Sequence, residues 1–305
     1  VASTPLSLQK TALQNTDLQN TADKTTSVST STADAPQPHS SRSLNAKNNQ
    51  SNSTLNYQIE TYTSQVLGYS HTYGVSLPPG YDQQPDRRYP VIFLLHGGHG
   101  DPSDMFRVGK GRLLPTLEKL YATGVLPPSI IITPDGYDQH GSDPHRDPAY
   151  IDGPHGQFDT AIGDELVKLV QRRYRTLPAP KFWAIGGLSS GAWGAVNIGL
   201  HHPDHFSILL SHSGYFKDKS GTDNSPSMYV TKLSPALRQL LHVYIDVGNS
   251  DKRYMTESEQ FHLLLNRLSI ANVFHIFPGK HTWQFWRQHF ADSLAYAGEQ
   301  FRRAL

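Results

Sequence analysis

The chain has 305 residues, 37% of them hydrophobic and 17% charged, with no Cys and a formal net charge of +1. That length suits one large α/β domain or two small ones, each able to bury a core, and near-neutral charge argues against a nucleic-acid binder, which would carry a basic face. The lack of Cys excludes a disulfide scaffold, a thiolate nucleophile and a Cys-ligated metal site, and no run approaches the ~18 apolar residues of a membrane-spanning helix.

Composition shifts at Tyr57, the first aromatic residue. Before it, Ser, Thr, Asn and Gln make up about half of the residues, with scattered single leucines and no sustained period. Such a segment buries too little apolar area to offset an ordering cost of roughly 1–2 kcal/mol per residue. Residues 1–56 therefore read as a disordered polar leader or linker, and 57–305 as the folded domain. A polar leader that starts at Val1 fits an exported protein, secreted or periplasmic, whose signal peptide has been removed.

From Tyr57 onward, strand-like and helix-like stretches alternate. Gln58 to Leu77 reads as two antiparallel strands broken near Gly68. Val91 to Leu95 and Ile130 to Ile132 are continuous apolar runs, as expected of strands buried on both faces. Phe182 to Ile185, Phe206 to Leu210, His242 to Val247 and Val273 to Phe277 complete the set. Between them, Phe158, Ile162, Leu166, Leu169 and Tyr174 form a helical stripe. Thr256 and Glu259 make a capping box ahead of Phe261, Leu264, Leu265 and Leu268. Trp286, Phe290, Leu294, Ala297 and Phe301 line one face of a C-terminal helix. Strands alternating with amphipathic helices predict a largely parallel sheet covered on both sides, an α/β fold, with chemistry in the loops at the strands' carboxyl ends.

The loop after the Phe182 strand reads Gly187-Leu188-Ser189-Ser190-Gly191, a G-x-S-x-G. Its glycines leave room for a tight, strained strand-to-helix turn that lifts the Ser189 hydroxyl above the sheet and puts the Ser190 N–H at a helix N-terminus. Serine needs a base oriented by a carboxylate. Asp251 follows the 242–247 strand and His281 follows the 273–277 strand, giving the order Ser, Asp, His. Asp246 is the rival acid, but it sits within a strand, where its side chain points into a helix layer. His275 is inside a strand and His262 and His289 are within helices, so His281 alone occupies the right kind of loop. The Leu95-His96-Gly97-Gly98-His99-Gly100 loop leaves the first buried strand with three glycines. It offers the second oxyanion donor: the amide of Gly98 is assigned beside that of Ser190, with its neighbours in the 97–99 stretch left open.

The segments LLHGGHGD, GLSSGAWGA, His202-Pro203-Asp204-His205-Phe206, GNSD and GKHTWQFW together resemble the esterase family of α/β hydrolases. That family includes feruloyl and acetylxylan esterases, esterase D-type thioester hydrolases, siderophore esterases and mycolyltransferases. The resemblance covers about residues 57–305. It implies the α/β-hydrolase fold, with Ser189 as nucleophile, His281 as general base and acid, and Asp251 as orienting carboxylate. Ser190 departs from the pattern, since many relatives carry Met or another apolar residue there; only its backbone N–H is needed.

The expected chemistry is carboxylic-ester hydrolysis through an acyl-enzyme, with no metal or organic cofactor, on small, aromatic or carbohydrate-linked esters. The rate is expected to rise as His281 loses its proton, from a reference imidazole pKa of ~6.5. An acyltransferase of the mycolyltransferase kind would use the same residues, and a silent binding protein on the same fold is the rival of another class. Trp283, two residues after His281, is a candidate substrate contact, with Trp193 a weaker one. The loop from Asp135 to His155 carries His140, Asp143, His145, Asp147, Asp152 and His155. Its spacings match no zinc or calcium frame, so it is expected to be a rim of the cleft. The stretch from Gly214 to Leu240 is polar and short, unlike the apolar lid of a lipase.

Overall fold

The computed structural model describes residues 53–142 and 145–305. The polar leader lies outside them except for its last four residues, as does Asp143. Those four residues are packed. Leu55 is buried, Thr54 Oγ1 donates to Glu118 at 2.6 Å, and the Asn56 carbonyl accepts from Ser76 Oγ at 2.8 Å. Tyr57 stacks on Phe106 at 4.6 Å. The docked chain thus reaches back past the expected boundary at residue 57, because a single leucine in a polar stretch has no period to announce it.

Strands β1 (Gln58–Thr63), β2 (Ser70–Ser76), β3 (Val91–Leu95) and β4 (Ile130–Pro134) are followed by a two-residue pair, β5 (Asp152–Gly153) and β6 (Gly156–Gln157). Then come β7 (Trp183–Leu188), β8 (Ile208–His212), β9 (His242–Gly248) and β10 (Ala271–Phe277). The main sheet has eight strands in the order β1-β2-β4-β3-β7-β8-β9-β10. β1 and β2 run antiparallel, as do β2 and β4, and the remaining pairings are parallel. Every residue of β3, β4, β7 and β8 is buried, which is why they appear in the sequence as continuous apolar runs. β10 closes the sheet at one edge and is partly exposed.

The helices are α1 (Leu113–Ala122), α2 (Phe158–Thr160), α3 (Val167–Arg173), α4 (Ser190–His201), α5 (Pro226–Tyr229), α6 (Pro235–Leu240), α7 (Lys252–Arg267) and α8 (Trp283–Ala304). They cover both faces of the sheet. On β8, Leu209 meets α4 at Gly199. His212, three residues on and so on the opposite face, meets α8 at Ser293. The expected stripe of α8 is its buried face: Trp286, Phe290, Leu294, Ala297 and Phe301 are all buried.

Two local expectations are corrected. The helix expected over 158–174 contains a wide π turn, Ala161–Leu166, between α2 and α3. It passes so close to α4 that a Cβ at Gly163 would collide with the His202 ring. Thr256 and Glu259 do not cap a helix: α7 starts four residues earlier, after Asp251, and Thr256 Oγ1 bonds back to the Lys252 carbonyl at 3.2 Å. That pairing is the ordinary behaviour of a threonine inside a helix. The 214–240 stretch carries the short helices α5 and α6.

Candidate active site

Ser189 stands between β7 and α4 with φ 56° and ψ −125°, a conformation that costs a non-glycine residue energy and persists only where its surroundings impose it. Its N–H donates to the His212 carbonyl at 2.9 Å, and its own carbonyl accepts from Ala192 and Trp193 to start α4. A Cβ at Gly191 would collide with the main-chain oxygens of Leu95 and His96. The turn can therefore press against the end of β3 only with glycine there.

The loops after β9 and β10 are laced together. Asn249 N donates to the Phe277 carbonyl at 2.8 Å and Ser250 N to the Gly279 carbonyl at 2.9 Å. Gly279 N in turn donates to Asn249 Oδ1 at 3.2 Å. This lacing brings Asp251 to His281, with 2.6 Å between His281 Nδ1 and Asp251 Oδ2. On the other side of the ring, His281 Nε2 is 2.8 Å from Ser189 Oγ. Asp251 is buried and His281 is 28% exposed, so the acid is shielded while the base is open to solvent on one side. The three residues singled out from sequence thus meet in a single hydrogen-bonded line.

The rival acid Asp246 is fully enclosed and turned toward α8. It holds His212 Nδ1 at 2.8 Å and accepts from the Tyr244 hydroxyl at 3.1 Å. Neither His275 nor His289 joins the Ser189 line. His275 packs against Tyr244 and Phe277, and His289 bonds Asp292 at 2.9 Å. His262 bonds Asn272 at 2.5 Å.

The glycine-rich loop is fixed by the 135–150 segment. His96 Nε2 accepts from Gly136 N at 3.0 Å, and the Tyr150 hydroxyl donates to the His96 carbonyl at 2.8 Å. The His99 N–H donates to the Tyr137 hydroxyl at 2.9 Å, which removes that amide from the candidates for an oxyanion donor. The Asp147 carboxylate stands over the α-carbon of Gly98: a Cβ there would lie 2.6 Å from Oδ1. Among the described residues, no hydrogen bond or ion pair reaches the Asp147 carboxylate. Other described acids of this loop have structural partners. Asp138 binds Arg146 at 2.6 Å, and Asp152 accepts from Thr160 N at 3.0 Å at the start of α2.

Aromatic rings enclose the line. Tyr254, in the first turn of α7, stacks on His281 at 4.4 Å and 22°. Trp286 meets the same imidazole edge-on at 4.9 Å and donates its indole N–H to Ser213 Oγ at 3.2 Å. Trp193 stacks on Tyr215 at 5.3 Å and donates to the Asn224 carbonyl at 2.9 Å. Burial raises the pKa of Tyr254, and that of Tyr215 more strongly, and the nearby Asp147 charge adds to both; both phenols stay protonated hydrogen-bond donors. Trp283 reaches the site at second hand: it is half-buried, edge-on to Trp286 at 5.4 Å, with Lys110 Nζ 5.8 Å from its ring centroid. Tyr254 was not singled out from sequence; Trp286 was read only as part of a helix's apolar stripe, and Asp147 only as one of the polar residues of the 135–155 loop. The signal for Tyr254 was its spacing, one helical turn after Asp251.

Sheet order, strand-end loops and a serine on a strained strand-to-helix turn define an α/β hydrolase. The chain belongs to the Esterase family, whose model matches residues 64–297. It is 25% identical over 73% of its length to an uncharacterised protein of Corynebacterium glutamicum, and spans 56% of that protein. It is 24% identical over 68% of its length to an acetyl esterase of Caldicellulosiruptor saccharolyticus, covering 82% of it. The solved structure of a ferulic acid esterase superposes with a TM-score of 0.74 at 24% identity, over 82% of this chain and 100% of that one.

Proposed function

We propose that this chain is a serine carboxylic-ester hydrolase acting through an acyl-enzyme on Ser189. The observation that carries the reading is the continuous line from Ser189 Oγ through His281 to Asp251, with contacts of 2.8 and 2.6 Å. In this reading His281 Nε2 takes the Ser189 proton as Oγ attacks the ester carbonyl, and returns it to the departing alcohol. Water activated by the same nitrogen then releases the acid. Asp251 holds the Nδ1 hydrogen and steadies the imidazolium. The amides of Ser190, at the start of α4, and Gly98 serve the developing oxyanion; the commitment of the His99 amide to Tyr137 supports Gly98 over its neighbour.

The partly exposed rings of Tyr215 and Tyr254 favour small aromatic or carbohydrate-linked esters, with Trp283 assigned a substrate contact at the outer edge. The names of the acetyl and ferulic acid esterases point the same way. The polar composition of residues 1–56 supports export. The test is hydrolysis of a panel by wild type and Ser189→Ala: p-nitrophenyl acetate, butyrate and palmitate, methyl ferulate and acetylated xylan, each with and without an acceptor alcohol. Turnover of acetate or ferulate that falls by about 10⁴ or more in the variant supports the reading. Undiminished turnover in Ser189→Ala, or product only with an acceptor present, would overturn it.

A further inference from the structure

A groove of about 270 Å³ lies between α5 and α7, and none of Ser189, Asp251 and His281 lines it. Along α7 it follows one stripe, Glu257, Phe261, Leu264 and Arg267, at three- and four-residue spacing. Its floor is a pair of buried rings, Phe216 and Phe261, stacked at 4.0 Å and 12°. Leu264 and Met228 extend the apolar surface, and Met228 is 45% exposed. A thioether at such an edge is a soft, adaptable contact for a further ring. The floor is pinned from both sides. The Phe216 N–H donates to Glu257 Oε2 at 3.1 Å, and its carbonyl accepts from Ser227 N at 3.0 Å and from Ser227 Oγ at 2.7 Å. The shape therefore exists before a ligand arrives, which keeps the cost of ordering it low.

Two exposed cations, Lys217 and Arg267, stand at the groove. Among the described residues, no ion pair or hydrogen bond reaches either side chain. The single acid of the lining, Glu257, is engaged by the Phe216 amide and by Arg253 Nε at 3.6 Å. Positive charge therefore prevails over an aromatic floor, the reverse of Gly98, beside which Asp147 places a negative charge. We infer that this groove is a second binding site, for a small aromatic carboxylate. The ring packs on Phe216 and Phe261 between Leu264 and Met228, and Lys217 and Arg267 supply the counter-charge. The volume falls just below the roughly 300–1,000 Å³ of sites for drug-sized ligands. It admits one ring with a short acidic arm and has no room for a long acyl tail. Aromatic acids are also what hydrolysis of an aromatic ester releases; that connection rests on the function proposed above, whereas the site itself does not.

The experiment is an NMR titration of the full chain, isotopically labelled at its methionine methyls, with trans-cinnamate, cinnamamide and acetate. The sequence has three methionines; Met228 lines the groove and Met105 and Met255 do not, and Met228→Leu assigns the signal. Cinnamate is expected to shift the Met228 methyl saturably, with a Kd of about 1 mM or below. Cinnamamide keeps the shape without the charge and is expected to bind about 10-fold more weakly. Acetate, a charge without a ring, is expected not to saturate. Lys217→Gln/Arg267→Gln is expected to weaken cinnamate about 10-fold and to leave cinnamamide within twofold of wild type. Melting first checks that this double variant is native; if it is not, the comparison of cinnamate with cinnamamide in wild type decides alone. A Met228 methyl that stays still, with cinnamate moving only Met105 or Met255 or nothing, would overturn the site. So would cinnamamide binding as tightly as cinnamate, or cinnamate binding undiminished in a native double variant. Turnover enters none of these readings, so persistence of ester hydrolysis in Ser189→Ala would remove the proposed nucleophile and leave the groove standing.

Discussion

The main-chain oxygen of His212 receives the N–H of Ser189 at 2.9 Å, while the His212 ring is locked in the core between Asp246 and Ser293. The next residue, Ser213, donates its N–H to the Asp246 carbonyl at 2.8 Å and takes the Trp286 indole hydrogen on its hydroxyl. The end of β8 thus ties the strained serine turn to a His–Asp pair with no solvent exposure. Two carboxylates near the sheet's carboxyl edge consequently have different work: Asp246 anchors the scaffold, and Asp251 meets His281.

That division predicts opposite phenotypes. Asp246→Asn removes one partner of an enclosed pair and is expected to cost about 3–5 kcal/mol, a fall of roughly 10 °C or more in Tm for a domain of this size. Asp251→Asn is expected to leave Tm within a few degrees while reducing kcat by roughly 10³–10⁴. Thermal melts and kcat on p-nitrophenyl acetate for both variants decide it. Equal activity loss with no stability difference would refute the division of roles.

The close approach of the serine turn to β3 gives a second test. A methyl group at Gly191 meets main-chain oxygens of Leu95 and His96, which cannot swing aside. Gly191→Ala is expected to cost about 3 kcal/mol or more, seen as low soluble yield and a depressed Tm. Gly109, whose Cβ position meets no heavy atom within 4 Å, supplies the control, and Gly109→Ala is expected to melt like wild type. A Gly191→Ala protein as stable as that control would show that the turn is free to relax.

The fold was legible because the central strands β3, β4, β7 and β8 are wholly buried and so read as unbroken apolar runs. Ser189, Asp251 and His281 were legible because each follows a strand, the buried β7, the largely buried β9 and the partly exposed β10, and loops at strand ends are where a parallel sheet exposes side chains. Other parts depend on pairings that no local pattern encodes. His212 and Asp246 are 34 residues apart and meet only because β8 and β9 pair in that register. Tyr254 was hidden because Thr256 and Glu259 imitate a helix start, which leaves the true first turn of α7 reading as loop. Asp147 reaches Gly98 only through the path of the 135–150 segment, which its sequence of Asp, His, Gly and Pro does not fix.

The Asp147 carboxylate beside Gly98 predicts a preference by charge. At a separation of ~6 Å and an effective dielectric constant of ~40, like charges cost about 1.4 kcal/mol, or tenfold in rate. Wild type is expected to hydrolyse a neutral aryl ester about tenfold faster in kcat/KM than an isosteric ester carrying a carboxylate. Asp147→Asn is expected to shrink that ratio to within about twofold. Raising the salt concentration should shrink it in wild type as well, since Asp147 is exposed to solvent. A ratio insensitive to both the substitution and salt would remove Asp147 from specificity.

The histidines at the end of α4, His201 and His202, predict how stability depends on pH. Asp159 is held by His201 Nδ1 and by His202 Nε2, the latter at 2.6 Å, which joins the end of α4 to α2. For His201, desolvation favours the neutral ring, but the Asp159 hydrogen bond and charge outweigh it and raise the pKa. For Asp159, desolvation is again opposed and outweighed by the two histidines, and the pKa is lowered. The raised histidine contributes stability that is complete below the unfolded imidazole pKa of ~6.5 and fades as pH climbs through the folded value. The depressed carboxylate contributes above its unfolded pKa of ~3.9 and loses that contribution as pH falls through the folded value. The pair is therefore strongest between about pH 4 and 6.5. Asp159→Asn is expected to lower Tm by several degrees at pH 5.5 and by roughly half as much at pH 9. Melts of both proteins at the two pH values measure it, and an equal drop at each would mean that protonation of His201 is not coupled to folding.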